Sequence, residues 1–129
     1  MSSGLYLVQL LNELPISVNA NDSRRPNCLK VDRRHCKVGK AKRLAGRERN
    51  YHDVFTEANV VFTAVVEVED IATAEREVLA RLKRFRIRGG QANRLHEWLE
   101  NISGNEVIRN VFEALREAHI PFKPLIAEP

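Results

Sequence analysis

The stretch "NVVFTAVVEVEDIATAEREVLARLKRF" narrows the fold more than any other part of the chain. Asn59 to Asp70 is rich in β-branched residues and turns to alternation at its end, the pattern of a central strand. The period then changes. Ile71, Ala74, Val78, Leu79, Leu82 and Phe85 recur at helical spacing and form one apolar stripe. A half-buried strand followed directly by an amphipathic helix points to a mixed α/β (α+β) fold in which helices pack on a sheet.

The flanks agree. "GLYLVQLL", residues 4–11, reads as a strand bounded by Asn12 and Pro15. Residues 19–27 form a turn-rich loop. Cys28–Val31 and Cys36–Val38 read as two short strand pieces joined by "DRRH" as a hairpin connection, and Gly39 marks a close backbone approach or a turn. "AKRLAGRERNYHDVF" reads as a helix with Gly46 as its weak point. "IRGGQANRL" is a loop centred on Gly89 and Gly90, and Trp98 in "HEWLENI" is a core anchor between Leu95 and Leu99. Ser103 and Glu106 make a capping box that opens a helix with Val107, Ile108, Val111, Phe112, Leu115 and Ala118 on one face. Pro121 stops it, and the tail is extended. The 129 residues suit a single domain, core about 4–102 and C-terminal helix 103–120, without internal repeats.

Charge is distributed unevenly. From Arg24 to Arg49 eleven Lys and Arg face only Asp32 and Glu48, while the rest of the chain is net acidic. Such a stripe is the electrostatic footprint of a polyanion partner. No apolar run reaches the ~18–20 residues of a membrane span, and the N-terminus lacks a basic leader pattern, so the expected location is cytoplasmic. Cys28 and Cys36 make no disulfide framework. With His35 and His52 they lack the usual zinc spacing. His96 and His119 read as ordinary surface residues.

Three residues stand apart. At about 100° per residue, Leu44, Arg47, Tyr51 and Phe55 share a helix face, which puts Arg47 on the apolar side. Glu75 falls inside the stripe of the next helix, where a carboxylate needs a partner unless it bends out to solvent at the stripe's edge. Tyr6 lies near the start of the first strand. A phenol, a guanidinium and a carboxylate form a coherent set for phosphodiester hydrolysis. The carboxylate can hold a divalent metal, the guanidinium can stabilise charge on phosphate oxygens, and the phenol can orient water. The phenol takes the water's proton only if nearby positive charge pulls its pKa well down.

With these residues in place, the chain resembles the GIY-YIG endonuclease superfamily, in its phage-derived, meiotically up-regulated-type branch. "GLY" at Gly4–Tyr6 is similar to the first signature tripeptide and "KVG" at Lys37–Gly39 to the second, with Lys37 in place of a tyrosine. "KVGKAKRLAGR" is similar to the run leading to the catalytic arginine, Arg47. "AEREVLARLKRFRIRG…HEWL" is similar to the segment whose helix carries the catalytic glutamate, Glu75. The resemblance implies a small three-stranded antiparallel sheet flanked by helices, and metal-dependent cleavage of DNA.

The expected function is therefore a DNA endonuclease using Mg²⁺ or Mn²⁺. Tyr6 orients or deprotonates water and Lys37 supports that charge shift. Arg47 stabilises the transition state, Glu75 binds the metal, and Tyr51 or His52 contacts the leaving group or scissile phosphate. Lys40, Lys42, Arg43 and Arg49, with His52, bind the DNA. The alternatives are a non-catalytic nucleic-acid-binding module of the same fold and an adaptor whose basic face meets an acidic protein.

Overall fold

The computed structural model describes residues 2–19, 29–89 and 93–129. In chain order the strands are β1 (Gly4–Leu10), β2 (Ile16–Ser17), β3 (Lys30–Val31), β4 (His35–Ala41), β5 (Val60–Glu67), β6 (Arg86–Gly89), β7 (Arg94–Glu100) and β8 (Lys123–Pro124). The helices are α1 (Leu44–Phe55), between β4 and β5, α2 (Ile71–Arg81), after β5, and α3 (Gly104–Glu117), after β7. Most of the loop read at 19–27, with Arg24 and Arg25, lies outside the described residues, as do Cys28 and Gly90.

Strand β1 is buried on both faces because it runs between β4 and β5 and helices cover both sides of the sheet. Leu5 and Leu7 face one way and Tyr6, Val8 and Leu10 the other, none more than 3% exposed. That two-sided burial is why the strand reads as a nearly continuous apolar run instead of an alternation. Leu5 and Leu7 join Val38, Val65 and Val66 against Ala74, Val78 and Leu82 of α2 and Val111, Phe112 and Leu115 of α3. Tyr6, Val8 and Leu10 join Leu44, Tyr51 and Phe55 of α1, with Trp98 of β7. Trp98 meets Phe55 edge-on at 5.7 Å between ring centroids and is the core anchor its neighbours implied.

The three-stranded expectation is corrected. The main sheet has six antiparallel strands in the order β6-β7-β4-β1-β5-β8, and β2 and β3 form a separate ribbon. The segment read as a Gly-Gly loop is largely the β6–β7 hairpin. Its strands, "RIRG" and "RLHEWLE", are half charged, and their pairing shifts register between Arg86 and Arg88, so no clean period of two survives in the sequence. His96 is likewise not a surface residue. It is buried, and its Nε2 lies 2.9 Å from the Gly89 carbonyl, tying the hairpin together. β8 is two residues long and includes Pro124, which an edge tolerates.

Two boundaries also move. Ala41 pairs with Gly4 in the sheet, so α1 starts at Leu44 and not at the predicted "AK". "DRRH" turns the chain between two sheets and is no hairpin, since β3 pairs with β2 while β4 pairs with β1 and β7. It does so without glycine because Asp32 organises it. The Asp32 carboxylate accepts the backbone N–H of Arg34 at 2.9 Å and its guanidinium at 3.0 and 2.9 Å. Ser103 caps α3 as read, its Oγ accepting the Glu106 N–H at 3.2 Å, while the Glu106 carboxylate accepts the Ser103 hydroxyl at 3.1 Å in place of the backbone N–H of a full capping box.

Asp32 gives a pH test. Its hydrogen bonds to Arg34 hold its carboxyl at about 2, below an ordinary value of 3.8. The folded pKa is depressed, so the contribution is complete above the unfolded value and is lost as pH falls through the folded one. We expect the melting temperature to drop between pH 5 and pH 2, and Asp32→Asn to be less stable at pH 7 with a shallower acid limb. Calorimetry across that range checks it.

Candidate functional site

The site begins where β1 and β4 lie side by side. Tyr6 stands opposite Gly39, and a Cβ added at Gly39 would run into the Tyr6 hydroxyl and ring. Only glycine lets the phenol lie flat across β4. The Tyr6 ring stacks on Phe62 of β5 at 4.8 Å, and its hydroxyl meets that of Tyr51 from α1 at 2.6 Å. Lys37 approaches the same pair from β4. Its Nζ lies 5.2 Å from the Tyr51 ring centroid and 5.9 Å from that of Trp98.

Burial governs how these groups titrate. It raises the Tyr6 phenol, outweighing the Tyr51 hydrogen bond and the Arg47 charge that pull it down. Positive charge therefore does not draw Tyr6 below its ordinary value, and a phenolate base at this position is not supported. Tyr51 is raised as well, by burial and then by the adjoining Tyr6. Lys37 moves the other way. Burial lowers its ammonium, with Glu97 and Glu75 opposing and Arg47 and Arg94 assisting.

Beside this buried group runs an open groove of about 440 Å³, lined by Lys40, Lys42, Arg43 and Arg47 together with Gly46, Asn50 and Ile71. It sits at the start of α1, where Arg43 occupies the N-cap with no side-chain hydrogen bond and the first turn has no acidic residue. Arg47 is exposed to this groove. It shares the helix face of Leu44 and Tyr51 but projects past the edge of the core, so it is not buried as the helix arithmetic suggested. Glu75 is not among the groove-lining residues; it lies one turn along α2 from the groove residue Ile71, its side chain is 15% exposed, and its Oε1 accepts Lys40 Nζ at 2.9 Å. The partner its apolar surroundings demanded is thus a lysine that sequence reading assigned to DNA.

The structure brings Tyr6, Tyr51 and Lys37 into contact and places Lys40, Lys42, Arg43 and Arg47 along one groove, with Glu75 joined to it through Lys40. Arg49 and His52 do not line the groove; His52 Nε2 lies 3.6 Å from Glu48 one turn back on α1. Sequence reading passed over Glu97. Its two carboxylate oxygens hold one Arg94 nitrogen at 2.7 and 2.8 Å. Burial pushes its pKa up, but its own backbone N–H, Arg94 and Lys37 outweigh that and hold it low. The cue was available: a carboxylate beside a buried tryptophan, on a strand paired with the one that carries Lys37.

Residues 18–116, more than half of the chain, match the family model of the T5orf172 domain. This chain belongs to the T5orf172 domain family. That finding corrects the resemblance to the GIY-YIG superfamily, which is a different domain, and the "GLY" tripeptide on which it partly rested lies outside the matched residues. The T5orf172 domain is associated with nuclease-like, DNA-related modules. No curated protein and no solved structure matches the chain. None of its described helices is long and apolar enough to cross a membrane.

A divalent metal fits the residues of this T5orf172 domain in one way only. No group of three or more His, Cys, Asp or Glu forms a metal cage among the described residues. Magnesium does not need one, since it keeps several waters and uses one or two carboxylates with substrate phosphates. Glu75, paired with Lys40 of the groove, is the carboxylate that could supply such an oxygen.

The Tyr6–Gly39 contact is directly testable. Gly39→Ala should destabilise the protein by about 1–3 kcal/mol through overpacking. Adding Tyr6→Phe should not relieve it, because the ring carbons also collide, whereas Tyr6→Leu should. Urea unfolding of the singles and doubles reads this as a non-additive coupling.

Proposed function

We propose that this T5orf172 domain is an endonuclease that hydrolyses DNA phosphodiester bonds with one divalent metal, Mg²⁺ or Mn²⁺, held by Glu75. The observation that carries the reading is the convergence of four cationic side chains on one groove, one of which, Lys40, is paired with the half-buried carboxylate of Glu75. A pure phosphate binder gains nothing from a negative charge there. The metal, when bound, would polarise the phosphate and acidify water.

The protein's own groups divide the remaining work. Lys42 and Arg43 hold the DNA backbone through phosphates. Arg47 stabilises the charge that develops on the phosphate oxygens, which a planar, permanently charged guanidinium suits. The Tyr6 and Tyr51 hydroxyls, fixed by their mutual hydrogen bond, orient the attacking water. Lys37 accepts its proton, because burial shifts it toward the working pH and shifts Tyr6 away. Among the described residues the groove lining has no aromatic side chain to stack bases on, which favours recognition through phosphates. A second reading, a binder without cleavage, draws on the Lys40–Glu75 pair, which neutralises the carboxylate in this structure.

A nicking assay with Mg²⁺ or Mn²⁺ on plasmid and branched DNA separates the two. Glu75→Gln should fold, bind DNA at least as well, and lose cleavage by several orders of magnitude. Arg47→Ala should lose it too. If the parent cuts nothing, the binder reading takes over. Reversing Lys42 and Arg43 to Glu should weaken binding to all sequences alike. It should also flatten the dependence of log affinity on log salt by about 0.9 for each phosphate no longer neutralised.

A base of this kind also sets a pH profile. Cleavage needs neutral Lys37, so the rate should rise with pH and level off below the ordinary lysine value of 10.5. Lys37→Arg, which cannot deprotonate, should lose about 10²–10⁴ in rate and the rising limb with it. A full-rate Lys37→Arg enzyme would remove Lys37 from this role.

A further inference from the structure

We propose that Lys40 is a displaceable counter-ion that couples metal entry at Glu75 to DNA binding in the groove, making it a positioning residue instead of a simple phosphate contact. The inference rests on the assignment of Glu75 as metal anchor. Three observations motivate it. The two ends of the pair differ in environment: the Glu75 side chain is 15% exposed and the Lys40 side chain 44%. A half-buried carboxylate gains from a nearby counter-charge. The lysine, in contrast, lines the same groove as Lys42, Arg43 and Arg47, and its ammonium has three donors and four flexible carbons with which to reach a phosphate. Finally, Lys40 donates the hydrogen bond to Glu75 Oε1, so it is the contact that a cation must displace.

Two charge states follow. Without metal, Lys40 sits on Glu75 and masks it, and an incoming DNA strand meets no bare carboxylate. A phosphate entering the groove would draw Lys40 away, leaving Glu75 Oε1 open to hold a divalent cation. Metal and DNA therefore favour each other's binding, and by linkage each raises the other's affinity by the same factor. Lys42, in the same groove but without an ion pair among the described residues, takes no part in this exchange.

The test measures binding, not cleavage. Mn²⁺ affinity of the full chain is read by electron paramagnetic resonance or calorimetry without DNA. DNA affinity is read by fluorescence anisotropy in EDTA and in Ca²⁺. Lys40→Met should tighten Mn²⁺ binding by at least about fivefold over the parent, in the range of ordinary coupling between sites. It should weaken DNA binding in EDTA more than in Ca²⁺, because only the metal then covers Glu75. Lys42→Met should weaken DNA binding equally in both and leave Mn²⁺ affinity within about twofold, the effect of a distant screened charge. Lys40→Gln serves as a second variant, and melting curves confirm that both fold. If Lys40→Met and Lys42→Met bind Mn²⁺ alike while Glu75→Gln weakens it, the coupling is wrong and the metal anchor stands. If Glu75→Gln binds Mn²⁺ as the parent does, the anchor and the coupling fall together.

Discussion

The packing of Tyr6 against the bare backbone of Gly39 sets the geometry of everything around it. Because no side chain intervenes, the phenol crosses β4 and its hydroxyl reaches Tyr51 on α1. That bond holds α1 against the sheet at its middle, while Leu44 and Phe55 hold its two ends. The helix start is thereby fixed beside the Lys40 end of β4, and the groove forms between them. A larger residue at 39 would lift the ring, and with it the helix that carries Arg47.

The sheet separates two kinds of chemistry. Along β4, Lys37 and Gly39 point to the α1 side, whereas Cys36, Val38 and Lys40 point to the side of α2 and α3. One side holds a largely buried cluster of two phenols and an ammonium, where burial is the largest influence on titration. The other brings Glu75 of α2 up to Lys40 at the sheet's rim. Strand alternation thus places adjacent side chains of "KVGKA" in different surroundings, although the reaction proposed here needs both. Strand β1 is too tightly packed to shift, so any adjustment during binding falls to long side chains such as Lys40 and Arg47.

Much of this was legible because the segments concerned are locally consistent. The two-sided apolar run of β1, the β-branched β5, the stripe of α2 and the Ser103 cap of α3 each point one way, and each is where the sequence put it. Glu75 was also identified from its position in the stripe, since a carboxylate there is conspicuous in any register. Other features were hidden by their chemistry. β6 and β7 carry Arg and Glu at positions that would be apolar in a regular strand, and a bulge breaks their alternation. His96 looked superficial because its partner is a backbone carbonyl seven residues away, which no side-chain pattern announces. Arg47 was read as inward because azimuth alone ignores that a long side chain near a helix start can run out past the core. The family assignment went astray although most of the segments that carried it, residues 37–47, 74–89 and 96–99, lie inside the 18–116 that match the T5orf172 domain.

Those matched residues begin after β1 has ended at Leu10, yet β1 is the strand that the others flank. A fragment cut at the borders of the match would lose the strand that hydrogen-bonds both β4 and β5, and with it the fully buried Leu5, Leu7 and Val8. The borders of the family match are therefore not the borders of a folding unit in this protein.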